Sequence, residues 1–157
     1  MTSRTLACLL MLALTGCAKI NDAGMRLLSS SAPAVAVVND TLLTGTALVF
    51  TDRTGTLKLE SSLDPKMKCL GQMRYTATQT GMVSLKCSQG TEAHLTFTAT
   101  HETRGYGTGT TGKGPASFTF GMEPGDAAAY LILPAGKRIM LTPDGTPQLE
   151  SIEGQRH

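Results

Sequence analysis

The sequence predicts an all-β domain: a small antiparallel β-barrel or sandwich of about seven to nine strands. Three observations predict it. From Thr46 onward apolar and polar residues alternate with a period of two, the pattern of a strand with one buried face. Turn-forming residues break that alternation roughly every ten positions, as short antiparallel strands require. The chain also carries 17 glycines in 157 residues, and beyond its N-terminal segment no stretch shows a convincing helical period.

Length and composition bound the rest. At 157 residues there is room for one domain. With no Trp, three Tyr and four Phe, the core must be built mostly from aliphatic side chains and Met. Fourteen basic residues face twelve acidic ones, and a scattered excess of +2 makes no electrostatic case for nucleic acid or anionic headgroups.

Taking the segments in order, the chain opens on "MTSRTLACLLMLALTGC". Arg4 supplies a positive start, and Leu6 to Leu14 forms an apolar run about half the ~20 residues needed to span a bilayer. Small residues follow, the layout of a secretory signal. Leu14-Thr15-Gly16-Cys17 matches the lipobox, and in this respect the chain resembles bacterial lipoproteins. The resemblance implies that residues 1–16 are a cleaved signal, and that the Cys17 thiol accepts diacylglycerol before its freed amine is acylated. Two or three acyl chains hold a protein stably at a membrane, where one does so marginally. Ala18 stands where an Asp commonly retains lipoproteins at the inner membrane, so the resemblance implies an outer-membrane destination.

Residues 17–45 read as the lipidated cysteine and a tether, rich in Ser and Ala with Pro33; the apolar Val35 to Val38 could add an edge strand or pack on the domain. Residues 46–142 read as the β-domain. Thr46–Asp52 turns through Arg53, Thr54 and Gly55 into Thr56–Glu60. In "MKCLGQMRYTA", Met67, Cys69, Gly71, Met73 and Tyr75 share one face, and in "GMVSLKCS" Val83, Leu85 and Cys87 do. "EAHLTFTAT" turns Ala93, Leu95, Phe97 and Ala99 inward and His94, Thr96 and Thr98 outward. Residues 116–121, 128–134 and 137–142 complete the set of strands, and 122–129 holds at most one helical turn. Residues 143–157 read as a frayed polar tail.

With Cys8 in the signal and Cys17 lipidated, Cys69 and Cys87 remain. In an oxidising envelope compartment their most economical state is a disulfide, with free thiols or a metal pair as the alternatives. The lone C-x17-C spacing, with no CxxC or neighbouring His, is poor for metal.

Motifs for chemistry are sparse. "GTGTTGKG", Gly107 to Gly114, nearly matches a P-loop, but Gly114 occupies the Ser/Thr position and the strand-like "ASFTF" follows Pro115 where a helix is needed. His94 and His101 point in different directions, no Ser sits in a G-x-S-x-G elbow, and the carboxylates are scattered singly. The reading therefore assigns no enzyme activity, no metal, no cofactor, no nucleotide and no nucleic acid. Met67, Met73 and Met82 lack the Met-x-Met spacing of copper handling and read as core filler. What stands out is "HETRGYGTGTTGKG", read as a long glycine-rich loop carrying His101, Arg104, Tyr106 and Lys113. Its two readings are a recognition loop on a rigid scaffold and a flexible hairpin tip.

Together these features give an outer-membrane-anchored lipoprotein whose β-domain binds an envelope protein or a peptidoglycan-associated partner in a structural or accessory role. An inhibitor of an exported hydrolase is the alternative, since the chain is similar to lipoprotein lysozyme inhibitors in size, anchor and fold. "RGYGTG" and "TGKG" echo their S-G-x-R-Y and W-S-K-G signatures, without the Trp. An enzyme or metal carrier comes third.

Overall fold

Ten strands make up most of residues 28–152, the residues that this computed structural model describes. Eight of them form one closed barrel in sequence order: β1 (Ser29–Val38), β2 (Thr41–Phe50), β3 (Thr54–Glu60), β4 (Lys68–Tyr75), β5 (Thr80–Cys87), β6 (Glu92–His101), β7 (Arg104–Thr111) and β8 (Pro115–Phe120). Each pairs antiparallel with the next, and β8 returns to β1 with Ala34 opposite Phe120 and Val38 opposite Ala116. The all-β expectation holds, and between barrel and sandwich the fold is a barrel. Closure leaves no barrel edge unpaired. The expected signal peptide and lipobox, residues 1–17, lie outside the described residues.

Alternation decides which side chains enter the barrel. Cys69, Gly71 and Met73 of β4 face Val83, Leu85 and Cys87 of β5, and Ala93, Leu95, Phe97 and Ala99 of β6 follow, all buried. Cys69 and Cys87 sit directly opposite one another and are joined as a disulfide. It staples the β4–β5 hairpin at the end where β4 begins and β5 finishes.

Four sequence expectations need correction. The segment 17–45 is not tether throughout, because Ser29–Val38 is a full barrel strand and Thr41 already begins β2. Ala34 and Ala36 point inward, while Val35 and Val37 join a second apolar cluster on the outside. Burial on both faces erases the period-two signal. Pro33 is tolerated because the β8 pairing starts only at Ala34. Residues 104–114 are not a long loop but β7 and a tight turn. Residues 128–134 form no strand: α1 (Pro124–Ala127) runs into a single 3₁₀ turn at Ala128–Tyr130. Finally, the tail is not frayed at 147–151, where β10 (Pro147–Ser151) pairs with β9 (Lys137–Leu141). The single helical turn expected in 122–129 is present.

These C-terminal elements cover one side of the barrel. Met122, Ala127 and Leu131 pack on Val35, Val37 and Leu42. The Ile132 amide donates to Ser117 Oγ at 2.8 Å, which satisfies a hydroxyl on the outer face of β8.

An eight-stranded barrel is just wide enough for side chains to fill it. Phe97 occupies its middle, edge-on to Tyr75, Phe118 and Phe120 at centroid distances of 4.9, 6.4 and 6.1 Å. These rings need space, and β7 provides it by placing Gly105 and Gly107 on its inward positions. A Cβ at Gly107 would lie 2.5 Å from the Phe118 ring and 2.9 Å from Phe97 Cβ; one at Gly105 would lie 2.7 Å from Phe120.

Two stability measurements check this account. In denaturant titrations Gly107→Ala should lose about 1–3 kcal/mol through overpacking. Gly112→Ala, from the same glycine run but with nothing within 4 Å of its would-be Cβ, should stay within about 0.5 kcal/mol. The Cys69→Ala/Cys87→Ala variant, which opens a bridge across 18 residues of sequence, should lose about 3 kcal/mol, and the oxidised protein should gain the mass of two hydrogens on reduction.

Candidate functional site: the barrel mouth

Alternating connections give the barrel two unlike ends. One carries the disulfide and the β1–β2, β3–β4, β5–β6 and β7–β8 connections; the other carries the start of β1 and the β2–β3, β4–β5 and β6–β7 turns. At this second end the strands enclose an open cavity of about 700 Å³, within the ~300–1,000 Å³ range of small-molecule clefts. Its apolar wall includes Val49, Phe50, Tyr75 and Ala99, and its rim carries Arg53, His101 and Glu102. Phe97, buried in the core, meets the Tyr75 ring edge-on. The gap deeper in the barrel, between Leu57, Val83 and Phe118, has no room for a water molecule.

Arg53 and Tyr75 are the organising pair of this mouth. The Arg53 guanidinium lies 5.4 Å from the centre of the Tyr75 ring, and its Nη2 donates to the Ala77 carbonyl on the neighbouring turn. The Tyr75 amide in turn donates to the Arg53 carbonyl at 3.0 Å. Asp52 fixes the turn by accepting from the Thr54 amide at 3.0 Å and its hydroxyl at 2.6 Å. Burial holds the Tyr75 phenol above its ordinary value of 10.0, against the lowering pull of Arg53 and with a smaller push from Glu102. On the opposite rim, the β6–β7 register shifts between Ala99 and His101. Bulges of this kind occur at barrel rims and turn side chains toward a site.

The four residues read as one binding loop are not brought together. His101 is at the mouth. Arg104 leans outward to Asp126 of α1 at 3.7 Å, and Tyr106 packs on Tyr130 at 4.8 Å between centroids, so both help to hold the C-terminal cover. Lys113 sits in the β7–β8 turn, at the far end of the barrel.

That turn also disposes of the P-loop resemblance. In a phosphate cradle the amides point at the ligand. Here the Lys113 and Gly114 amides donate to Thr111 Oγ1 at 2.9 and 3.0 Å, and the hydroxyl donates to Asn39 Oδ1.

Arg53, Tyr75 and Glu102 were not singled out from the sequence as a set. They lie on three different turns: β3–β4 pairing sets Arg53 beside Tyr75, and the curl of the barrel brings the β6–β7 turn with Glu102 to the same mouth. The available signal was an Arg inside the D-R-T-G turn, where Gly or Asn would be expected.

The outer wall is polar. Lys58, Gln72, Arg74, Ser84, Lys86 and His94 face out from β3 to β6, over an apolar interior. A bilayer-spanning barrel requires the reverse. Among the described residues no helix is long and apolar enough to cross a membrane, and no three His, Cys, Asp or Glu side chains converge as a metal set.

The Tyr75 environment has a measurable signature. Subtracting the phenolate-absorption titration of Tyr75→Phe from that of the native protein should give a curve with its midpoint above 10.0. Since the folded chain holds this proton more tightly, the Tyr75 contribution to stability is intact below the ordinary tyrosine value and is lost as pH rises through the raised one. Chemical denaturation across that window should therefore show a steeper alkaline decline in the native protein than in Tyr75→Phe.

No family model matches the chain, and no curated protein matches it. Among solved structures the chain is similar to a redesigned β-barrel, with 15% identity over 61% of this chain and 91% of that one, at a TM-score of 0.44. The barrel assignment stands on the strand pairing itself.

Proposed function

We propose that this protein is a lipid-anchored envelope lipoprotein at the outer membrane, and that its β-barrel acts as a binding module whose site is the open mouth. The observation that carries the binding role is the mouth: a cavity of about 700 Å³ with an apolar wall and an Arg held at its rim. The anchor is supported by the lipobox at Leu14–Cys17. A polar outer wall agrees with attachment through lipid, because the strands need not enter the bilayer. Chain order gives the two parts a spatial relation. Strand β1 begins on the mouth rim, with Leu28 66% exposed beside it. Cys17 precedes Leu28 by eleven residues, so a fully extended connection reaches about 40 Å at most. Lipid on Cys17 would keep the mouth within that distance of the membrane.

The rim surrounds the open cavity, so a partner is expected to meet it there. Its turns are short and tied by side chains such as Asp52, which favours a preformed site over one that folds around its partner.

Two readouts test the proposal in the producing cell. Radiolabelled palmitate should enter the native chain and not Cys17→Ser, which should leave the membrane fraction. A photo-crosslinking residue placed at Gln79 on the rim should form adducts in native envelopes, whereas the same residue at Ser84 on the outer wall should not. Unlabelled native protein would overturn the anchor; adducts from Ser84 alone would overturn the mouth.

A further inference from the structure

We infer that the mouth takes a compact amphipathic carboxylate, an aromatic or short-acyl acid whose apolar body lies on Val49, Phe50 and Ala99 and whose carboxylate is forked by Arg53. The inference rests on the mouth being the binding site and adds the chemical class of its ligand.

Depth limits the shape. Deeper in the barrel the core is packed, and the gap between Leu57, Val83 and Phe118 admits no water. A long straight chain cannot run down the barrel axis, so the apolar body must fit within the mouth.

Charge follows from what each rim group already does. A guanidinium has five N–H donors in a planar fork. The hydrogen bond to the Ala77 carbonyl uses one nitrogen, and among the described residues no carboxylate forms an ion pair with Arg53. Stacking on Tyr75 and bonding to Ala77 fix its orientation, which lowers the entropy lost when a bidentate carboxylate is gripped. A cationic ligand is the natural rival, since the mouth has aromatic rings and Glu102 at its rim. The Tyr75 ring that would receive it is taken, with Arg53 over it and Phe97 in edge contact. Of the rim acids, Asp52 is occupied by Thr54, while Glu102 stands on the β6–β7 turn, across the mouth from the β2–β3 turn that carries Arg53.

Backbone strain points to the same residue. Arg53 has φ of 66°, the left-handed region, in a turn where Gly would avoid the Cβ clash and Asn is better tolerated than a long side chain. A long charged side chain kept at such a position is the kind of outlier from which a functional role is inferred.

The test uses three isosteric probes: 2-naphthoate, 2-naphthamide and (2-naphthylmethyl)ammonium. The chain contains no Trp, so naphthyl fluorescence is read without overlap from indole. On the folded domain, naphthoate should bind about tenfold or more tighter than the amide, the difference a charge-assisted fork supplies. It should also shift the amide resonances of residues 99–103. Arg53→Gln should abolish the preference, and Arg53→Lys, which keeps the charge without the fork, should lose most of it. Unchanged resonances elsewhere establish that each variant is folded, and the Lys variant decides the matter if the Gln variant is not. Equal binding of acid and amide with shifts at the mouth would overturn the carboxylate class while leaving the mouth as the site. Tighter binding of the ammonium would do the same. Absence of shifts at residues 99–103 with all three probes would overturn the class and count against the mouth itself.

Discussion

The interior of this barrel is governed by one packing constraint: three phenylalanine rings must share the space that eight strands enclose. Phe97, Phe118 and Phe120 come from β6 and β8, the strands on either side of β7. Side chains at 105 and 107 on the inward face of β7 would collide with them, so both positions are glycine, while a Cβ at Gly109 would strike the backbone of His94 and Leu95 on β6. Glycine in a strand normally weakens it, because it packs nothing and has more backbone entropy to lose. Here neighbouring rings fill the missing volume, and two-sided hydrogen bonding within a closed sheet holds the backbone extended. The same ring cluster reaches the mouth through Tyr75, which Phe97 meets edge-on.

A second constraint arises on the outside. Strands β1 and β8 are buried on both faces, since Val35 and Val37 point away from the barrel interior and need a cover. The C-terminal segment provides it with α1, the 3₁₀ turn and the β9–β10 sheet, placed against the barrel by Arg104–Asp126 and by Tyr106 on Tyr130. An exposed ion pair contributes little by itself. The apolar contacts with Met122, Ala127 and Leu131 supply the larger part of the attachment. Arg104 and Tyr106, which look like recognition anchors in the sequence, are therefore engaged in holding the protein's own C-terminal segment.

How much of this could be read from the sequence depended on whether each strand had one wet face. Strands β3 to β6 do, and their inward residues, including the facing cysteines, follow directly from period-two alternation. Strand β1 has no wet face at its C-terminal half, so its Ala and Val run merged with the Ser-rich stretch before it and read as tether. Strand β7 has the opposite defect, since glycine on the inward face leaves no apolar signal. Residues 128–134 misled in the reverse direction, because an apolar run binding to the outside of a barrel needs burial but no strand pairing. The mouth was illegible for another reason. Its groups belong to turns far apart in the sequence, and a turn residue shows its orientation only once the strands on both sides have closed the barrel.

The near-match to a phosphate loop shows how the same residues can satisfy two unrelated rules. A P-loop needs glycines so that backbone amides can approach a phosphate. Strand β7 needs Gly105 and Gly107 so that rings can approach the backbone and Gly109 so that β6 can, and the alternation of the three has the strand period that a phosphate loop has no reason to keep. Gly112 and Gly114 then belong to a different structure, the turn that Thr111 closes by accepting two amides. Spacing distinguishes the two rules: glycines two apart, with Tyr106 and Thr108 between them on the outward side, describe a strand face cleared for close neighbours. Applied to the rest of the chain, the same logic explains Gly81. Its Cβ would strike the Phe97 ring at 2.4 Å, so this glycine clears the other side of the same ring.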